Sequence, residues 1–172
     1  MNLRLEKPAL HHEAAWLDIV AEIQAAGEAV TPYSLTLELS HYLDFWRKTQ
    51  LIAKRESLGD KVRADTYFLL GEEKPGRILG AINLRYELNE YLREFGGHIG
   101  YGIRPSERGK GYATAMLGMA LEKYREAGFK RVLLTCDTWN TASAKVMEHH
   151  GGVLENVVDR GDERIARYWI EL

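Results

Sequence analysis

The apolar residues of this chain change their repeat along its length, and the order of those repeats restricts the fold more than any other feature. After a short strand-like Leu3-Arg4-Leu5, the residues Trp16, Ile19, Val20 and Ile23 recur at steps of three and four. That spacing lines one face of a helix, and Gly27 is a suitable stop. A second helical pattern uses Leu35, Leu39, Tyr42 and Trp46 behind Thr31-Pro32, with aromatics suited to a core or to the wall of a cleft. The period then shortens. Thr66–Leu70 and Arg77–Tyr86 read as a hairpin around Glu72–Gly76, and a third strand runs from Gly97 to Ile103. Beyond Pro105 come a helix carrying Ala113, Leu117, Ala120, Tyr124 and Ala127, the strand Arg131–Asp137, and a helix from Asn140 to Gly151-Gly152. Two strands close the chain, Val153–Val158 and Ile165–Ile170, around the turn-like Asp159–Asp162. This order predicts a mixed α/β sheet covered by helices.

No linker or repeat divides the 172 residues, which suit one domain over 1–172. With 23 Lys+Arg against 25 Asp+Glu and no long basic run, the charge offers no reason to expect nucleic acid or a membrane as partner. No apolar stretch suits a membrane span or a secretory leader, so a cytoplasmic location is expected. Cys136, the one cysteine, excludes an internal disulfide. It sits in an apolar strand and reads as a small core residue rather than a nucleophile. The adjacent His149 and His150 diverge by about 100° on a helix and lack a carboxylate partner, so no metal is expected. The mixed-sign stretch Arg47–Glu56 reads as a solvated helix face.

Chemistry concentrates at Arg108-Gly109-Lys110-Gly111-Tyr112-Ala113, between a strand and a helix. The first N–H groups of a helix have no intrahelical acceptor and carry positive potential. Glycines let a phosphate approach them, and Arg108 and Lys110 add charge, which makes an anion cradle. Two better-known phosphate motifs fail. The P-loop's first glycine position holds Arg104, and the dinucleotide fingerprint started at Gly100 meets Pro105 where it needs glycine. In the preceding strand Gly100 and Gly102 share a face with His98, opposite Ile99, Tyr101 and Ile103. Two glycines on one face indicate a bulge or a ligand close to the backbone.

The run from Ile103 to Ala113 resembles the acetyl-CoA signature of the GNAT N-acetyltransferase superfamily, with Arg108, Gly111 and Ala113 at its defining positions. Asn140, Ser143 and Gly151-Gly152 match a second element of the family, and the wording of the C-terminal half is similar to uncharacterised bacterial acetyltransferases. The resemblance implies a mostly antiparallel sheet flanked by helices and splayed at the acetyl-CoA site. It also implies acetyl transfer from acetyl-CoA to a small-molecule or peptide amine by direct attack in a ternary complex. Pyrophosphate would sit on Gly109 to Ala113, including Lys110 and Tyr112, and the pantetheine arm would pair with the strand ending at Ile103 and contact Asn140 and Ser143.

His98 stands beside the family's usual glutamate position and is the candidate base, because histidine titrates near neutrality. The family's tyrosine acid is Met147 here, which leaves Tyr101 or Tyr168 as substitutes. That loss keeps a non-catalytic acyl-CoA-binding module as the rival reading, beside transfer of a longer acyl group. Glu38 and Asp44 suit a cationic acceptor, and an exposed sheet edge leaves a homodimer open.

Overall fold

The computed structural model describes residues 2–55, 59 and 61–172; Glu56, the end of the mixed-charge stretch, lies outside the described residues. Its elements run in the order β1 (Leu3–Glu6), α1 (Glu13–Ala25), α2 (Tyr42–Ala53), β2 (Ala64–Gly71), β3 (Ile78–Arg85), β4 (Ile99–Ile103), α3 (Tyr112–Glu126), β5 (Arg131–Asp137), α4 (Thr141–His149), β6 (Val153–Arg160) and β7 (Glu163–Glu171). Seven strands form one sheet in the order β1-β2-β3-β4-β5-β7-β6, with β1 and β6 at its edges. Every pairing is antiparallel except β4 with β5.

The alternation of side chains along the strands builds two cores, one on each face. Leu69, Ile82, Ile99, Leu134 and Ile170 pack with Met116, Leu117, Ala120 and Tyr124 of α3 and Met147 of α4. On the other face Phe68, Leu70, Ile78 and Ala81 meet Trp16, Ile19 and Ile23 of α1 and Tyr42 and Phe45 of α2. The aromatics of the first two helices are therefore chiefly core, with Trp16 stacked on Phe45. No helix of the described residues is long and apolar enough to cross a membrane.

The second helical pattern is broken. Leu35 belongs to a single 3-10 turn at Tyr33–Leu35, and the helix begins only at Tyr42. Leu37 and Glu38 take positive φ of 49° and 59°, which no helix accommodates. Trp16 Nε1–H donates to Leu35 O at 2.6 Å, so packing against α1 holds Leu35 where its spacing alone would have put it in a helix. A helical turn at Leu92–Gly96 also stands between two of the expected strands; Asn89 Oδ1 accepts the Leu92 N–H at 2.9 Å and starts it.

Candidate functional site

β4 and β5 register through one Cα pair, Ile99 with Leu134, and diverge beyond it. Arg85 N–H donates to His98 O and Arg104 N–H to Leu79 O, so the His98 carbonyl and the backbone groups of Gly100, Gly102 and Arg104 face β3. By the same alternation the backbone N–H groups of Tyr101 and Ile103 turn toward the gap beside β5. The splay is thus lined on one side by strand N–H groups beyond the last registered pair with β5.

The glycine turn follows at the same end of the sheet. Gly109 and Gly111 take φ of 74° and 80°, a region L side chains avoid, and a Cβ on either would meet nothing within 4 Å. The first intrahelical bond of α3 runs from Ala115 N–H to Gly111 O, while the N–H groups of Gly111, Tyr112, Ala113 and Thr114 find no acceptor among the described residues. Four convergent donors at an open helix N-terminus form an anion site.

The flanking cations are less free than their spacing implied. Arg108 makes a two-pronged pair with Glu28 at 2.8 and 2.6 Å and also donates to Ile103 O. Lys110 is bound to Glu107 Oε2 and Ser106 O, both at 2.9 Å. The backbone therefore supplies most of the unspent positive potential. Glu22 of α1 completes the frame, accepting from Ser106 N–H and from Arg104, which is fully buried. Burial works against its charge, but the Ser106 bonds and the Arg104 guanidinium hold the Glu22 carboxyl at about 2.

Gly102 does meet a close backbone approach and Gly100 a close side-chain one, but from this chain rather than a ligand. A Cβ on Gly102 would lie 2.1 Å from Thr31 O, and one on Gly100 would lie 3.0 Å from Arg85 Nη2 and 3.6 Å from Pro32. The connection between α1 and α2 thus rests directly on β4.

His98 sits where β4 and β5 are still joined. Its backbone N–H donates to Leu133 O, its Nδ1 accepts the Leu133 N–H at 2.8 Å, and its ring meets Tyr124 and Phe129 edge-on. Burial, aided by the charges of Arg85 and Arg93, lowers its pKa to about 4. A ring so held is a weak base with one nitrogen already engaged, so the geometry argues against His98 as the general base and for a clasp between the strands. Tyr101 lies farther along β4, its hydroxyl 2.8 Å from Ser143 Oγ of α4, and burial pushes it up to about 12. Asn140 Oδ1 accepts the Ser143 N–H at 3.0 Å and so caps α4. Met147, at the family's tyrosine position, is wholly buried in the core.

The clasp has a pH signature. Between about pH 6.5 and 4 the unfolded chain binds a proton at residue 98 that the folded chain refuses, so stability falls as pH falls through that window. This contributes about 2 kcal/mol of the loss between pH 7 and pH 5. In urea titrations His98→Gln should lose correspondingly less stability over that interval than the parent. An unchanged pH dependence would remove His98 as its source.

Two other clusters resolve into structural contacts. His150 Nε2 lies 2.8 Å from Thr114 O and docks α4 on α3. Glu6, His11 and His12 bring their ligand atoms within 4.8 Å of one another, but His12 Nδ1 accepts the Ala9 N–H. The neutral ring then carries its proton on Nε2, 3.3 Å from Glu6, and offers no lone pair there.

The acetyltransferase (GNAT) domain family matches residues 2–153. No match is found among curated proteins. Among solved structures, the ribosomal L7/L12 alpha-N-protein acetyltransferase RimL in complex with coenzyme A is similar over 100% of this chain and 95% of its own, at 17% identity and TM-score 0.71. The microcin C7 self-immunity acetyltransferase MccE, in complex with acetyl-CoA and AMP, matches 99% of this chain and 93% of its own at 19% identity and TM-score 0.72. RimJ of Mycobacterium smegmatis, in complex with CoA-disulfide, matches 98% and 81% at 20% identity and TM-score 0.73. At these identities the likeness shows a shared fold.

Proposed function

The chain belongs to the GNAT acetyltransferase family, and from that premise we propose that it transfers an acetyl group from acetyl-CoA to a primary amine by direct attack in a ternary complex. The observation that carries this reading is that the unspent N–H groups of a helix start and the β4 N–H groups turned toward the gap lie at one end of the sheet. The N–H groups from Gly111 to Thr114 suit the pyrophosphate, and those of Tyr101 and Ile103 suit an extended amide arm and the thioester carbonyl.

The chemistry then follows. The neutral amine's lone pair attacks the thioester carbonyl carbon, and a strand N–H stabilises the oxyanion, an arrangement worth roughly 2.7–4 kcal/mol. Collapse of the tetrahedral species breaks the C–S bond. Tyr101 stays protonated at neutral pH because burial lifts its pKa to about 12, so it serves the leaving sulfur as a hydrogen-bond donor. The proton that ends on sulfur is the one the amine sheds on becoming an amide. No covalent enzyme intermediate is needed, since Cys136 is buried and its thiol is pushed up to about 11. Holding the two substrates together supplies much of the acceleration.

Calorimetric titration tests the donor site. Acetyl-CoA and CoA should bind in the micromolar range and ATP weakly, because only the first two carry the arm that pairs with β4. A folded protein that binds none of the three would reduce the glycine turn to a helix start.

A further inference from the structure

Beyond Leu134, β5 carries Thr135 and Asp137 on the sheet face opposite α3, beside the gap that opens toward β4. They border a cleft of about 130 Å³ whose other walls are Phe95, Cys136, Arg160 and Ile165. Asp137 Oδ1 is buried there and has no hydrogen-bond partner among the described residues. Its nearest cation, Arg160 Nη2, is 3.9 Å away, beyond hydrogen-bond reach, and Arg160 is already spent: its Nε and Nη2 both donate to Glu163 at 3.0 and 2.6 Å. Thr135 Oγ1 is likewise committed, donating to Phe95 O at 2.7 Å.

Oδ1 itself is closed off, but the Asp137 side chain keeps 26% of its surface open, so the carboxylate still offers a charged edge that a ligand N–H can meet. Arg160 is paired with Glu163, which leaves Asp137 as the one carboxylate among the cleft walls. Its Phe95 and Ile165 walls accept an apolar stem. We infer that this cleft receives the ammonium head of the acceptor, with Asp137 as its hydrogen-bonding and charge partner, so that the acceptor class is the cationic primary amine carrying a short apolar stem. The inference rests on the acetyl-transfer reading for what happens next, but the binding site stands on its own geometry. Asp137 binds and positions the amine; the proton leaves through the open side of the cleft.

The test uses phenethylamine, a cation at pH 7.5, and aniline, which is neutral there. With acetyl-CoA as donor, the parent protein should acetylate phenethylamine in preference to aniline. Asp137→Asn should raise the KM for phenethylamine about tenfold or more, as loss of a charged hydrogen bond requires. Arg160→Gln removes the competing cation and should lower that KM, a change that general damage to the fold would not produce. Acetyl-CoA affinity should stay within about twofold in both variants, because neither residue touches the glycine turn. Calorimetry with phenethylamine and donor-free protein gives the cleft its own readout, so failure of the donor site and failure of the amine site are told apart. Binding by the parent that Asp137→Asn loses supports the cleft even where acetyl-CoA does not bind. Equal phenethylamine binding and KM in parent and Asp137→Asn, or neither binding nor turnover of phenethylamine by the parent, overturns it.

Discussion

Gly111→Glu is expected to abolish acetyl-CoA binding while leaving a folded protein. Residue 111 precedes the first turn of α3 with φ of 80°, and its N–H is among the four that find no acceptor among the described residues. Two effects combine. A side chain in the left-handed region costs roughly 1–2 kcal/mol, and the carboxylate then stands where the pyrophosphate must come. Loss of two or three charge-assisted hydrogen bonds, each worth roughly 1.5–3 kcal/mol, amounts to about a hundredfold in affinity or more. Gly111→Ala separates the terms, because it imposes the backbone strain without the charge. It should destabilise the fold by roughly 1–2 kcal/mol and leave most of the affinity in the folded protein. Retained micromolar affinity in a folded Gly111→Glu protein would remove the turn from the donor site.

The legible parts of this fold are those where local and tertiary preferences agree. The glycine turn, β5 and the Asn140 cap stand where the residues placed them, because φ above zero, a continuous apolar run and an Asx side chain each have one structural outcome. The break before Tyr42 was not legible. Leu35 and Leu39 keep helical spacing with Tyr42, and only the Trp16 bond to Leu35 O reveals that packing against α1 overrides it. The site divides in the same way. Gly109 and Gly111 announce themselves through a motif, whereas Asp137 ends an ordinary strand and acquires interest only when its oxygen proves buried without a donor. His98 shows the opposite failure. Its residue type and position pointed to proton transfer, but the Leu133 hydrogen bonds that occupy it come from a strand 35 residues away. Charge was misjudged for a similar reason, since Glu28 lies 80 residues from Arg108 and no spacing rule links them.

The same distance-blind contacts make Gly102 the most sensitive position of β4. A Cβ there would stand 2.1 Å from Thr31 O, a backbone atom that cannot rotate away, so either the connection between α1 and α2 or the strand must move. Gly102→Ala is therefore expected to destabilise the protein by about 3 kcal/mol, the upper range for overpacking, and to lower Tm by roughly 6–12 °C. Gly100→Ala is the control on the same face of the same strand. Its Cβ would meet the guanidinium end of Arg85 at 3.0 Å, a contact that a few tenths of an ångström relieves, and its cost should stay below about 1 kcal/mol. Urea titration of the two variants measures the difference directly. If they prove equally stable, residues 31–32 are not held against β4, and the glycines must be explained by something other than the chain's own backbone. If Gly102→Ala alone is damaged, the residue that tempted a ligand-based reading is a hinge point of the fold. The α1–α2 connection is then fastened to the strand whose other face carries Tyr101, so a shift in either would be felt at both.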